Sequence, residues 1–185
     1  MSEQQIDAAA LERLLCTRFS ARKFQPRAVP RATLDQILQM AQRTPSWCNI
    51  QPWQIVMVSG APLNALRERM WQHARDGAPA SPNFRMFGAP HLALIFVDDY
   101  LGFYGALDCG LYAMTLMLAA HSLGVDTIAQ ASLASYPELV REQLALPPTR
   151  KLICGIAIGY AEREHAINNY RTERAPVAEA VQFVE

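Results

Sequence analysis

Apolar residues return every three or four positions in three stretches of the chain, which is the spacing of one buried face on an amphipathic helix. These stretches are 10–15, 34–41 and 63–70. Asp7 precedes the first stretch and can cap that helix, because a carboxylate accepts hydrogen bonds from the unpaired amides of a first helical turn. The pattern therefore predicts three helices before the middle of the chain.

Two helix starts have the spacing of a capping box, in which Glu or Gln follows a hydroxyl residue by three positions. One belongs to the second helix predicted above and the other to a later helix. Thr33 and Gln36 have this spacing at the start of the second helix. Ser135 and Glu138 have it at the start of a later helix, which we expect to end near Leu146.

Three shorter runs are apolar without polar alternation: 55–58, 92–97 and 152–158. Such runs predict strands that are buried on both faces of a sheet. Because they alternate with helices along the chain, helices must cover both faces. The sequence predicts one layered α/β or α+β domain.

The stretch 106–123 is apolar nearly all round and is followed by Gly124, in the position of a helix C′ glycine. A helix without a polar face must be central or lie at a subunit interface. His121 near its end is interpreted as a satisfied buried histidine or a helix-terminal charge partner, rather than a metal ligand.

Two stretches lack a clear period. The segment 76–90 contains three prolines and two glycines and predicts a long irregular loop around 83–86. The tail, 161–185, ends in apolar residues, so we expect it to cross the surface of the domain or of a partner subunit. The expected organisation is a single domain over 1–160 followed by this tail.

Composition excludes several classes of function. Seventeen basic and 17 acidic residues give a net charge of zero, which argues against nucleic acid or an anionic membrane as main partner and favours self-association.

The cysteines and histidines have neither disulfide-framework nor metal-ligand spacing, so no metal site is expected. The amino terminus does not resemble a signal peptide and no apolar run reaches bilayer length, so a cytoplasmic location is expected.

No nucleophile elbow or phosphate-loop motif is present. Three polar clusters remain: Arg18, Ser20 and Arg22; Asn49 and Gln51; Arg171 and Arg174. Arginine with a hydroxyl suits a phosphate group, and carboxamides in a stiff proline loop suit a flat, hydrogen-bonding ligand. A phosphorylated planar cofactor would use all three clusters, although each alone is equally compatible with surface charge.

Two features have alternative interpretations. The proline-rich loop 44–53 is either a recognition loop or a packed helix–strand corner with Trp47 and Trp53 in the core. Asp98 and Asp99 could bind a divalent cation, but paired aspartates after a buried strand more often end that strand and cap the next element.

The pattern Arg18-x-Ser20-x-Arg22-x-Phe24, followed by Pro45-Ser46-x-x-Asn49-x-Gln51-Pro52-Trp53, resembles the flavin-dependent nitroreductase family. The strand ending in Gly159-Tyr160 and the tail over 169–176 are similar to that family's closing strand and tail. The resemblance implies an α+β, layered α-β-α sheet domain. It also implies an intertwined homodimer that binds FMN at each of two subunit interfaces and exchanges the C-terminal arms 161–185.

The resemblance also implies roles for individual residues. Arg18, Ser20, Arg171 and Arg174 would hold the FMN phosphate and ribityl chain. Arg22 would lie beside the flavin pyrimidine ring, where positive charge stabilises the reduced anion.

Asn83 would hydrogen-bond the pyrimidine edge, while the backbone N–H groups of Gln130 and Ala131 would face flavin N5 and O4. The other implied cofactor contacts are Phe19, Pro45, Ser46, Trp47, Asn49, Gln51 and Met86. Those between 45 and 51 would reach the flavin bound mainly by the other subunit. No residue is implied as a catalytic nucleophile.

The implied reaction is ping-pong: NADH or NADPH delivers hydride to flavin N5, and a nitroaromatic or quinone-like acceptor is then reduced. The candidate pocket residues are Phe84, Phe87, Phe103 and Tyr104. Alternatives are reductive dehalogenation, flavin cleavage or non-catalytic flavin binding.

Two positions depart from the family pattern. Met86 stands where some members have a lysine, which leaves Arg22 as the charge at the flavin edge. Gln130 stands where some members have an acidic residue.

Overall fold

The computed structural model describes residues 7–77 and 81–185, with side chains of 75–77 left undescribed. In this part of the chain one sheet has four strands, β1 (Gln54–Ser59), β2 (His91–Asp98), β3 (Asp126–Gln130) and β4 (Arg150–Gly159). The helices are α1 (Ala8–Thr17), α2 (Arg31–Ala41), α3 (Gly60–Gly77), α4 (Gly102–Ser122), α5 (Pro137–Gln143) and α6 (Val177–Ala180). The three predicted strands are confirmed as β1, β2 and β4, and they alternate with helices as expected; β3 contains Asp126 and Thr127 and was not predicted as a strand.

The sheet has the order β1-β2-β4-β3, and all neighbouring strands are antiparallel. Alternate residues of the central strand β2 face opposite sides of the sheet. Leu92, Leu94 and Phe96 enter one hydrophobic core, which also contains α3 residues. Ala93, Ile95 and Val97 enter a second core with α2 and α4. The predicted α-β-α layering is confirmed.

Helix α4 buries one face on the sheet, with Tyr112 and Leu116 almost fully enclosed. The opposite face leaves a continuous apolar stripe exposed, and its members are Phe103, Leu107, Leu111 and Met114. Only half of this apolar helix therefore finds partners within the single chain, and a position at a subunit interface stays a prediction.

The expectation that no apolar run reaches bilayer length is wrong. The helical stretch Asp99–Ser122 is long and apolar enough to cross a membrane, with a mean hydropathy of 1.3 and 44% of its most apolar window buried. Length and composition do not distinguish a membrane helix from a core helix. This one packs on the sheet and on α2.

Of the three predicted side-chain caps, only the one at Asp7 forms in the described part of the chain. Asp7 accepts a hydrogen bond from the amide of Ala9, as expected. Neither capping box forms: α2 begins after Pro30 and α5 begins at Pro137, and neither start has a side-chain cap. Proline fixes φ and needs no donor partner, so it sets these helix starts instead.

The predicted loop 76–90 is partly regular. Helix α3 continues to Gly77, and Pro82–Gly88 forms a 3₁₀ helix; residues 78–80 lie outside the described part. Met86 and Phe87 adopt positive φ values of 48° and 52°, which reverse the chain and direct both side chains inward. The tail beyond Asn168 is exposed.

Candidate functional site

The basic segment after α1 is held against the sheet by backbone pairing. Ser20 forms a bridge with Thr127 of β3, and the amide of Ala21 donates to the Thr127 carbonyl at 3.1 Å. This pairing fixes the direction of the segment, so the side chains of Arg18 and Arg22 are presented at the edge of the sheet beside β3.

Asn168 joins the start of the tail to this segment. Its side chain is 3% exposed and accepts a hydrogen bond from the Arg22 amide at 2.7 Å. Its amide group donates to the carbonyls of Lys23 at 2.8 Å and Glu162 at 3.0 Å. Sequence reasoning missed Asn168, since a single asparagine in a polar tail carries no signal that separates it from exposed ones.

This junction brings the first and third predicted clusters into one cavity of ≈ 550 Å³. Arg171 stacks on the ring of Phe19, with its guanidinium carbon 4.0 Å from the ring centroid. The lining residues are Leu15, Cys16, Arg18, Phe19, Ser20, Arg22, Met114, Tyr170, Arg171, Thr172 and Arg174. Six of the predicted cofactor-contacting residues therefore share one concave surface.

The cavity concentrates uncompensated positive charge. Within 7–77 and 81–185, none of its four arginines forms an ion pair with a carboxylate. Burial, and then the charge of Arg174, lower the pKa of Arg18. Arg171 donates to the Asn168 carbonyl at 2.7 Å and Arg174 to the Thr172 hydroxyl at 2.7 Å. A bound anion would relieve this repulsion.

The loop between α2 and β1 is held in a strained conformation. Cys48, Asn49 and Gln51 have φ values of 48°, 55° and 51°, and each such residue costs of order 1 kcal/mol. The Ser46 hydroxyl accepts from the Gln51 amide at 2.9 Å, and Asp108 of α4 accepts from the Trp47 amide at 3.1 Å. These bonds stabilise the turn.

The two tryptophans of this loop differ. Trp53 is buried, packs 4.9 Å from the Tyr112 ring and donates to Gln42 at 3.1 Å. Trp47 is 55% exposed and stacks on Tyr104 with ring centroids 5.4 Å apart. The packed-corner interpretation therefore holds for Trp53 alone.

Within one chain the loop and the cavity are separate. Pro45, Ser46, Trp47, Asn49 and Gln51 are absent from the cavity lining. Tyr104 contacts the loop and Met114 lines the cavity. These two residues are separated by about 15 Å along α4 at the usual helical rise.

Asn83 and Gln130 contact each other. The Gln130 side chain is 2% exposed and donates to the Asn83 backbone carbonyl at 2.8 Å. Its own carbonyl oxygen, Oε1, is buried without a partner in the part of the chain that the structure describes. Ala131, the next residue, is exposed. These contacts fix the Gln130 side chain away from solvent and leave the Ala131 backbone near the surface.

The four aromatic residues predicted for a substrate pocket do not form one. Phe84 is buried and packs edge-on against Tyr136, with ring centroids 5.6 Å apart. Phe87 is 9% exposed, whereas Phe103 and Tyr104 lie exposed on α4. Met86 is fully buried, so it presents no surface to a ligand in this chain. The positive φ values at Met86 and Phe87 accompany the inward orientation of these two side chains.

The remaining titratable candidates have structural partners. His121 lies with Nε2 2.8 Å from the Thr17 hydroxyl, which fits a satisfied histidine. Asp98 ends β2 without making a cap hydrogen bond, and Asp99 lies 3.5 Å from Lys151. No group of three metal-ligating side chains occurs among the described residues.

Comparison with known proteins identifies similar folds and sequences. The model of the nitroreductase family matches residues 15–160. Nitroreductase NfnB of Mycolicibacterium smegmatis is 32% identical, over 95% of this chain and 93% of that protein. A 4-nitrobenzoate reductase of Nocardioides is 31% identical, over 95% and 90%.

The fold of the chain is also similar to solved structures. The crystal structure of FMN-dependent NfnB from Mycobacterium smegmatis with NADPH is 31% identical and has a TM-score of 0.90, covering 96% of this chain and 99% of that one. The FMN- and NADPH-dependent NfnB from sphigopyxis sp. strain HMH is 26% identical, with a TM-score of 0.86 and coverages of 94% and 98%.

Proposed function

The chain belongs to the nitroreductase family, and from this premise we propose that it is an FMN-dependent oxidoreductase using NAD(P)H to reduce nitroaromatic or quinone-like acceptors. The observation that carries the proposal is the cavity in which Arg18, Ser20, Arg171 and Arg174 converge with no carboxylate among its described lining residues. A phosphate dianion with an attached polyol chain matches that donor set.

The residues present fit FMN. Arginine forks and the Ser20 hydroxyl would bind the phosphate, and each charge-assisted hydrogen bond contributes about 1.5–3 kcal/mol. Phe19 and Asn168 hold Arg171 in place from two sides. Arg22 would supply positive charge near the flavin ring. Its amide is fixed by Asn168, so its position depends on the same junction.

FMN held by Arg18, Ser20, Arg171 and Arg174 would supply the hydride-transfer chemistry, and the proposed order is ping-pong. The chain's task is to bind and orient. The backbone at Gln130 and Ala131 would face the reactive edge, with the Gln130 side chain locked by Asn83. No protein nucleophile is required, in agreement with the absence of nucleophile motifs.

A homodimer would complete the site. The loop 45–51 lies away from the cavity in its own chain, so we propose that it reaches the cavity of a second copy. The exposed stripe of α4 provides an apolar surface for that contact. The arm 161–185 would extend this apolar surface, because Phe183 and Val184 are more than four-fifths exposed in the single chain. Residues 1–160 then form one domain in a cytoplasmic enzyme.

The natural acceptor is a separate question. The alignment with the Mycolicibacterium relative runs over 219 positions although this chain has 185 residues, so the relative contains internal segments that this chain lacks. Such segments can change an acceptor pocket. We therefore propose the acceptor class only.

The deciding experiment is a visible absorbance spectrum of the purified protein before and after anaerobic addition of NADPH or NADH. Flavin bands that bleach on addition are expected. A protein that binds no added FMN would contradict the cavity assignment, and bound FMN that neither nucleotide reduces would contradict the enzyme assignment.

A further inference from the structure

A second cavity of ≈ 640 Å³ adjoins the first, and Arg22 lines both. Three more cationic residues line the second cavity, namely Lys23, Arg67 and Arg85. Trp71 and His165 complete the polar and aromatic part of its wall. No carboxylate is among its described lining residues, although the chain as a whole carries equal numbers of acidic and basic groups.

Its positive charges are uncompensated. Arg22, Lys23, Arg67 and Arg85 form no ion pair in the part of the chain whose side chains are described, whereas six other basic residues each pair with an acid. Concentrating four unpaired cations costs electrostatic free energy unless an anion binds. The cavity therefore has the charge of an anion-binding site.

Hydrogen bonds and stacking hold part of the wall in place, and Lys23, Arg85 and His165 lie exposed at its surface. Arg67 donates to the backbone carbonyls of Arg85, at 3.2 Å, and Ala89, and so fixes the 3₁₀ segment to α3. Burial lowers the pKa of Arg67. The Arg85 guanidinium stacks on Trp71, 4.3 Å from the ring centroid. His165 accepts the Ile167 amide through Nδ1, which leaves Nε2 for a ligand.

These features suit an aromatic base beside a phosphate group. The stacked Arg85 and Trp71 form a flat surface on which a purine can lie. Lys23 adds a positive charge with three donors, and Nε2 of His165 adds a further polar group for a phosphate oxygen. Because Arg22 joins this cavity to the proposed flavin site, an elongated co-substrate could occupy both cavities at once.

We propose that this cavity binds the 2′-phosphorylated adenosine end of NADPH and makes the protein prefer NADPH to NADH. The proposal rests on the proposed function, in which a nicotinamide nucleotide reaches the flavin. NADH has the same base and ribose but lacks the additional phosphate, so the uncompensated cations distinguish the two nucleotides.

The kinetic test compares kcat/KM for NADPH and NADH in the wild type and in the variants Lys23→Gln and Arg85→Gln. Each variant should lower kcat/KM for NADPH by about 10- to 100-fold, the factor for losing one charge-assisted hydrogen bond. The value for NADH should change by less than about twofold. Arg69→Gln is the matched control, since it removes a positive charge from the same helix as Arg67 but outside the cavity.

A binding test needs no turnover. Adenosine 2′,5′-bisphosphate should bind the FMN-loaded wild type in calorimetry much more tightly than adenosine 5′-monophosphate, and Arg85→Gln should remove the difference. Equal affinities for both probes, or equal losses with both co-substrates, would overturn the cavity assignment while leaving the oxidoreductase intact. A protein that binds no FMN and oxidises neither nucleotide contradicts the proposed function, and the same titration carried out on the flavin-free protein then still decides the cavity.

Discussion

Replacing Asn168 by alanine is expected to loosen the junction between the tail and the basic segment. The side chain makes three hydrogen bonds, one accepted from Arg22 and two donated to Lys23 and Glu162. At about 1 kcal/mol net per bond, the free energy of unfolding should fall by about 3 kcal/mol. For a chain of this size that corresponds to a fall in Tm of about 6–12 °C.

The same change should weaken FMN binding, because the Asn168 side chain sets the position of the Arg22 amide and of the Asn168 backbone carbonyl to which Arg171 donates. Two measurements are needed: thermal unfolding by circular dichroism without flavin, and FMN titration followed by quenching of flavin fluorescence. Asn168→Asp is an informative second variant, since it keeps the acceptor for Arg22 and loses the two donors.

The matched control is Asn169→Ala, which removes a neighbouring exposed asparagine. It should leave Tm within about 2 °C of the wild type, as is usual for an exposed substitution. If Asn168→Ala behaves like this control in both measurements, the junction does not organise the arginine cavity and the reasoning is refuted.

Three other predictions concern separate parts of the molecule. Arg18→Gln should weaken FMN binding by about 10- to 100-fold by removing a charged donor, measured by the same titration; unchanged affinity would contradict the phosphate assignment. Leu111→Glu on the exposed stripe of α4 should shift the protein from dimer to monomer in sedimentation velocity, with helix content unchanged; a wild type that is already monomeric would contradict the proposed interface. Burial lowers the pKa of His91, so the folded state binds fewer protons than the unfolded chain, and stability should fall as pH drops below about 6.5. His91→Gln should flatten this slope in urea unfolding; a variant with the same slope as the wild type would exclude His91 as its origin.

Secondary structure was largely readable from the pattern because its cause is local. Three uninterrupted apolar runs became strands, since a segment with both faces covered is mostly apolar. Strand β3 was missed because it buries the polar residues Asp126, Thr127 and Gln130. The helix starts were misplaced where Pro30 and Pro137 fixed the backbone ahead of the expected hydroxyl caps. Proline acts through φ and the missing donor, which a search for capping side chains does not register.

The sequence did not predict which of the candidate pocket residues are buried in the core. Phe84 and Met86 have the composition of pocket residues, but positive φ values in the 3₁₀ segment direct this region into the core. A backbone reversal of this kind depends on the elements against which the segment packs, here α3 and Arg67, rather than on its own residues.

The sequence by itself determined the layered α+β architecture, the family and the two arginine clusters, because apolar runs and short motifs are properties of neighbouring residues. Tertiary structure decided that Arg18 and Arg171 face one cavity, since about 150 residues separate them and their segments are joined by contacts such as those of the buried Asn168. It also decided that the loop 45–51 lies elsewhere in the same chain, because Asp108, in the first half of α4, accepts a hydrogen bond from the Trp47 amide.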